Sequence, residues 1–149
     1  MPAGRFNRYD DFSVGRRFDH HWGRTITADE AISFATEHVT HEPVRFNRLY
    51  AQHLGYDDIV VSPMLVYAIV LGMSVEDLSE SGGPFLGSDG VRFLRPVYPG
   101  DTLFASSIVV SRRPSGSKQD YGIVEWETSG SNQRSDPVIS FRRTNLVRR

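Results

Sequence analysis

The apolar positions of the chain change period near residue 80, which divides it into a helical half and a strand-rich half. The helical half runs from Thr27 to about Leu78. Ala31, Phe34 and Ala35 form an apolar stripe behind Thr27, a good N-cap, and Asp29 and Glu30 put negative charge in the first turn, where the helix dipole favours it. A second, short helix is expected over Asn47–His53, stopped by Gly55. After the apolar segment Ile59–Val61, Ser62 offers an N-cap and Pro63 suits the first helical position, where its missing N–H costs nothing. Met64, Leu65, Val66, Tyr67, Ala68, Ile69, Val70, Leu71 and Met73 follow with no polar face. A helix apolar on every side is expected to be buried on every side, and this one is too short to cross a bilayer.

In the second half Val91–Val97, Leu103–Val110, Tyr121–Thr128 and Val138–Leu146 read as strands. Pro99-Gly100-Asp101, Arg113-Pro114-Ser115-Gly116 and Ser129-Gly130-Ser131-Asn132 read as the turns between them. Turns this short join antiparallel neighbours, because parallel ones need long crossovers. An early strand around Arg17–Trp22 completes the sheet. The expected class is α+β, with a long central helix wrapped by a curved antiparallel β-sheet, which is the hot-dog arrangement.

At 149 residues the chain is expected to form a single domain over residues 1–149, and 39% hydrophobic with 23% charged residues places it among globular proteins. The absence of cysteine removes thiol nucleophiles, thiolate zinc sites and iron–sulfur clusters. It also gives no sign of an oxidising compartment. The opening MPAGRFNRYDDF lacks the apolar run of a secretory signal, so a cytoplasmic protein is expected, with no membrane association. A net charge of −1 argues against nucleic acid as a partner. Basic residues gather at Arg112, Arg113 and Lys118 and again at Arg142, Arg143, Arg148 and Arg149. They read as a solvated face, or as a contact for an anionic tail.

The stretch Val91-Arg92-Phe93-Leu94-Arg95-Pro96-Val97-Tyr98-Pro99-Gly100-Asp101-Thr102-Leu103 resembles the strand-turn-strand signature of MaoC-like dehydratases. His20–Thr27, Pro63–Glu80, Gly82–Gly87 and Asn132–Val147 resemble the subgroup of mesaconyl-CoA hydratases and β-methylmalyl-CoA dehydratases, so the resemblance covers most of the chain. It implies a hot-dog fold and a hydro-lyase interconverting a 2-enoyl-CoA and a 3-hydroxyacyl-CoA. The family's hydration motif falls on Phe34–Asn47. Phe34, Ala35 and Pro43 match it, but Thr40 stands at the catalytic aspartate position and Arg45 at the catalytic histidine position. Threonine has no useful basicity near neutral pH, and arginine stays protonated, so neither replaces a general base. An arginine fork does suit a carboxylate, such as the free one of a mesaconyl- or β-methylmalyl-CoA. A surface pairing of Arg45 with Glu42 is the competing reading.

The remaining titratable side chains of the motif loop are His38, His41 and Glu42, with Glu42 at the family's asparagine position. The candidate catalytic set is therefore Thr40, His41, Glu42 and Arg45. Relatives with His-Gly-Met use a glycine N–H to polarise the thioester oxygen, where this chain reads Ser62-Pro63-Met64. The free N–H groups of Met64 and Leu65 are expected to take that role at the helix N-terminus. Ser62, Met64, Leu65 and Gly87 are the candidate substrate-binding residues. Gly82-Gly83-Pro84-Phe85-Leu86-Gly87 leaves a helix and enters a strand, the reverse of a phosphate-cradling loop, and is expected to be a connector beside the thioester.

Irregular spacing of His and Glu gives no metal site, Tyr67 reads as core, and no cofactor beyond the CoA thioester is implied. A catalytically degenerate acyl-CoA-binding protein, or a structural partner of an active paralogue, is the alternative that Thr40 and Arg45 favour; an acyl-CoA thioesterase using Glu42 is another. A single hot-dog sheet leaves a free edge and an open groove, so a homodimer or higher homo-oligomer is expected, with a hetero-oligomer as the variant.

Overall fold

A computed structural model describes residues 6–149. A 3-10 turn at Tyr9–Asp11 leads into β1 (Arg17–Asp19), β2 (Arg24–Thr25) and α1 (Ala28–Glu37). A second 3-10 turn at Pro43–Arg45 precedes α2 (Arg48–His53), α3 (Pro63–Met73) and α4 (Val75–Leu78). The strands β3 (Phe85–Phe93), β4 (Thr102–Pro114), β5 (Tyr121–Ser131) and β6 (Pro137–Arg148) follow. Every strand pairing among the described residues is antiparallel, in the order β1-β4-β5-β6-β3, with β2 also on β4. This is the α+β hot-dog arrangement that the apolar pattern predicts. No helix among the described residues is long and apolar enough to cross a membrane.

Helix starts agree with their caps: Thr27 Oγ1 accepts from Glu30 N and Asn47 Oδ1 from Tyr50 N. Gly55, at φ 91°, ends α2 in the left-handed conformation its lack of Cβ allows. Strand bounds differ more. The strand expected over Val91–Val97 begins at Phe85 and ends at Phe93, so the connector expected over Gly82–Gly87 stops at Pro84. As an edge strand, β3 is exposed along most of its length and is broken by bulges, which erases the alternation that marks a half-buried strand. The turn expected at Ser129–Asn132 is strand as far as Ser131; the reversal comes at Asn132, whose Oδ1 accepts from Arg134 N and Asp136 N. The early strand expected over Arg17–Trp22 is shortened to β1, and β2 lies beyond it.

α3 lies on the sheet rather than inside it. Leu65, Val66, Ile69 and Val70 are buried against Leu103, Ala105, Ile139 and Phe141. The approach is close: a Cβ on Gly130 would sit 2.7 Å from Val70 Cγ2 and 2.8 Å from Ile139 Cγ2. The opposite face, carrying Met64, Ala68 and Gly72, is exposed, so burial on every side is corrected to burial on one. An all-apolar helix tells that each face meets apolar matter, but not that this chain supplies it.

A second apolar cluster, Phe12, Phe18, Leu78, Val109, Val124, Trp126 and Val147, fills the other half of the same sheet face. Along the inward positions of β4, β5 and β6 a polar row separates the two clusters. His20 Nδ1 lies 2.5 Å from Asp77 Oδ2 and its Nε2 lies 2.9 Å from Ser107 Oγ, which is 2.8 Å from Thr128 Oγ1. Arg143, expected among the solvated basic residues, is instead 2% exposed. Its guanidinium donates to Ser74 Oγ at 2.5 Å, Ser79 Oγ at 3.0 Å and Asn145 Oδ1 at 3.0 Å, all neutral oxygens. Burial pulls Arg143 down to about 10, so it remains a cation at neutral pH.

The signature around Pro99–Leu103 does structural work. Asp101 is buried, and its carboxylate accepts from Tyr98 N at 2.9 Å and Gln133 Nε2 at 2.8 Å. Ile26 N donates to Asp101 O and Gly100 N to Ile26 O, which fixes the residue before the Thr27 cap of α1. The turn thus sets where α1 begins and, one helix length later, where its far end meets α3.

Candidate active site

The far end of α1 closes with two tight backbone bonds, Thr40 N to Ala35 O at 2.8 Å and Val39 N to Thr36 O at 3.2 Å. That closure places Val39 at φ 59°, a left-handed conformation that costs a β-branched residue energy. It turns Thr40 back toward α3 and leaves His38 on the last turn. The His38 ring stacks on Phe34, centroids 4.1 Å apart and planes at 21°. Its Nδ1 is 2.9 Å from Phe34 O, and a carbonyl only accepts, so Nδ1 is the protonated nitrogen and Nε2 of the neutral ring carries the free lone pair.

Arg45, on the 3-10 turn, reaches back to Glu42 Oε2 through Nε at 2.9 Å and Nη2 at 2.8 Å. Its Nη1 donates to the carbonyls of Val60 and Val61 at 3.3 and 3.4 Å. With Val60 N on Val44 O, these bonds hold the segment leading into α3 against the loop. Ser62 follows at once. It occupies the N-cap position, but its hydroxyl makes no capping bond and no other bond among the described residues, although the residue is 4% exposed. Of the two N–H groups expected free, Leu65 N donates to Ser62 O at 3.0 Å, which corrects that expectation for Leu65. Met64 N makes no backbone hydrogen bond among the described residues.

Between the end of α1 and the N-terminal half of α3 lies a cavity of about 460 Å³ lined by Phe34, His38, Thr40, Ser62, Met64, Tyr67, Ala68 and Leu71. Apart from His38, Thr40, Ser62 and the Tyr67 hydroxyl, its wall is hydrocarbon. Tyr67 itself packs edge-on against Phe141 at 4.9 Å. The structure therefore brings together three of the expected residues, Thr40, Ser62 and Met64.

The other expected residues lie outside this lining. His41 and Glu42 are exposed on the loop, Arg45 is engaged as above, the Leu65 side chain is in the core, and Gly87 is in β3 opposite Thr144. Among the polar residues of the cavity, His38 and Tyr67 are those that the family motif does not single out. The available signal was helical spacing, since Met64, Tyr67, Ala68 and Leu71 recur at i, i+3, i+4 and i+7 on one face.

Two other arrangements carry less chemistry. Asp77, His20 and Ser107 follow the order of a hydrolytic triad, but Ser107 is buried, bonded to Thr128 and absent from the cavity wall. They form a clamp between α4, the β1 end and the sheet. No three His, Asp or Glu side chains among the described residues are gathered closely enough to hold a metal ion.

A family profile described as mesaconyl-CoA hydratase matches residues 3–149. The mesaconyl-CoA hydratase of Haloarcula hispanica is 36% identical over 142 residues, covering 95% of this chain and 40% of that protein. The β-methylmalyl-CoA dehydratase of Chloroflexus aurantiacus is 32% identical over 143 residues, covering 96% of this chain and 40% of that protein. Among solved structures, a MaoC domain protein from Chloroflexus aurantiacus superposes with a TM-score of 0.91 at 29% identity, over 100% of this chain and 42% of that one. A MaoC-like dehydratase from Rhodospirillum rubrum gives 0.85 at 26% identity, over 96% of this chain and 97% of that one. The chain spans about 40% of the length of the curated relatives it matches.

Proposed function

The chain belongs to the mesaconyl-CoA hydratase family, and from that premise we propose that it binds a short acyl-CoA thioester beside α3 and interconverts a 2-enoyl-CoA with a 3-hydroxyacyl-CoA. The observation that carries the reading is the apolar cavity of about 460 Å³ with its unpartnered Ser62 hydroxyl and Met64 N–H at one end. An apolar pocket with a few convergent polar groups suits an acyl chain ending in a thioester. Addition of water at C3 drives charge onto the thioester oxygen. Two donors and the positive end of the α3 dipole stabilise that charge.

The cavity wall carries no cation, and Arg45 is held by Glu42, so an uncharged enoyl group fits the wall better than a carboxylated one such as mesaconyl. The test mixes the protein with crotonyl-CoA and with mesaconyl-CoA and follows loss of the enoyl-thioester absorbance. Turnover of either supports the reading; faster turnover of mesaconyl-CoA, lost in Arg45→Ala, would return Arg45 to carboxylate binding.

A second reading is favoured by Thr40 and Arg45 at the positions where the resemblance expects the catalytic pair. In it, the chain binds the thioester and a partner supplies the acid–base groups. Thioester binding without turnover separates it from the first. In the first reading a second copy covers the open face of α3 at Met64, Ala68 and Gly72 and pairs with the β3 edge; in the second, the partner that supplies the acid–base groups takes that place.

A further inference from the structure

We infer that His38 is the acid–base residue of this site, standing in for the pair that Thr40 and Arg45 replace; the inference rests on the hydratase reading above. Of the eight side chains lining the cavity, three are hydroxyl-bearing, four are hydrocarbon or thioether, and His38 alone carries a ring nitrogen that can serve as a general acid–base group. The other titratable groups of the loop, His41 and Glu42, are exposed as His38 is, but they lie outside the lining. His38 is also prepared for the task. Its Nδ1–H is committed to Phe34 O at 2.9 Å and its ring is held flat on Phe34, so the neutral ring offers Nε2 as an acceptor in a fixed orientation. The carbonyl plays the part that an orienting carboxylate plays elsewhere, fixing the tautomer without adding charge.

In the hydration direction an O–H bond of water breaks as its proton passes to Nε2, and the water oxygen bonds to C3 of the enoyl thioester. The C2–C3 π pair moves toward the thioester oxygen, where Ser62 Oγ and Met64 N–H donate. The enolate then collapses and takes the proton from His38 onto C2. One water is consumed, His38 returns to its starting state, and the reverse sequence dehydrates the 3-hydroxyacyl-CoA.

Two measurements test this. Nitrogen-15 imidazole spectra of the intact protein near neutral pH, with the His38 signals assigned by their loss in His38→Gln, are expected to show the Nδ1–H tautomer. The Nε2–H tautomer overturns the proposal. With crotonyl-CoA, His38→Gln is expected to keep KM within about twofold and to lose roughly 10²–10⁴-fold in kcat, while still binding butyryl-CoA. A His38→Gln kcat within about twofold of the parent overturns the base assignment and leaves the hydratase reading standing. A parent protein that binds butyryl-CoA but turns over no enoyl-CoA overturns the hydratase reading and this assignment with it.

Discussion

Arg143 sits inside the protein among neutral acceptors, and two features of its surroundings let it do so. It bonds to Ser74 at the C-terminal end of α3, where helix carbonyls carry partial negative charge, and its guanidinium faces the rings of Trp126 and Phe85 at 5.7 and 5.9 Å. Truncating it strands Ser74, Ser79 and Asn145, so Arg143→Ala is expected to cost roughly 3 kcal/mol in urea unfolding. Its protonation adds a signed effect. Burial lowers the folded value to about 10, below the ordinary guanidinium value, so in the range above pH 10 the unfolded chain holds more protons and stability rises with pH. The difference in stability between the parent and Arg143→Met is expected to shift in the parent's favour across that window. Val39 shows the opposite imbalance, a branched side chain where glycine fits, and Val39→Gly is expected to raise stability by about 1 kcal/mol in the same unfolding measurement. Neither residue was legible in the sequence. Arg142 and Arg143 read as one basic run, and only their alternation across β6 sends one outward and the other in.

α3 was the most legible element, because Pro63, the apolar run and the Ser62 position mark its start and character without reference to the rest of the chain. Its surroundings were not, since which face meets the sheet depends on contacts such as Val70 on Gly130, remote in sequence. Gly130→Val is expected to overpack that contact and cost about 1–3 kcal/mol, read by thermal unfolding. It should also weaken butyryl-CoA binding, because α3 carries Ser62 and Met64 into the cavity. At β3 the sequence misled for a physical reason: an edge strand with bulges needs no alternating pattern, so the more regular Val91–Val97 looked like the strand. The motif loop was legible as a site but not residue by residue. Capping and stacking, rather than the family spacing, place His38 in the cavity and leave His41 and Glu42 outside it.

For the whole molecule, the open face of α3 and the β3 edge both leave apolar surface uncovered, with Phe85, Leu86, Phe93 and Leu94 all between 45% and 49% exposed. In the first reading proposed above, a second copy covers this surface. Leu86→Lys with Phe93→Lys is expected to convert a dimer to a monomer in sedimentation velocity; a parent chain already monomeric at the same concentration would contradict the account of this face.

The central claim, that the acyl group lies on the His38 side of α3, is open to a direct reading because the chain has only three methionines, Met1, Met64 and Met73. Met64 lines the cavity with His38 and Ser62, whereas Met73 lines a separate groove with Trp22 and Glu76 on the other side of α3. With the methionine methyls labelled with carbon-13, titration with butyryl-CoA is expected to move the Met64 resonance and leave Met73 in place. Movement of Met73 with Met64 unchanged would put the ligand on the wrong side of the helix and contradict the account.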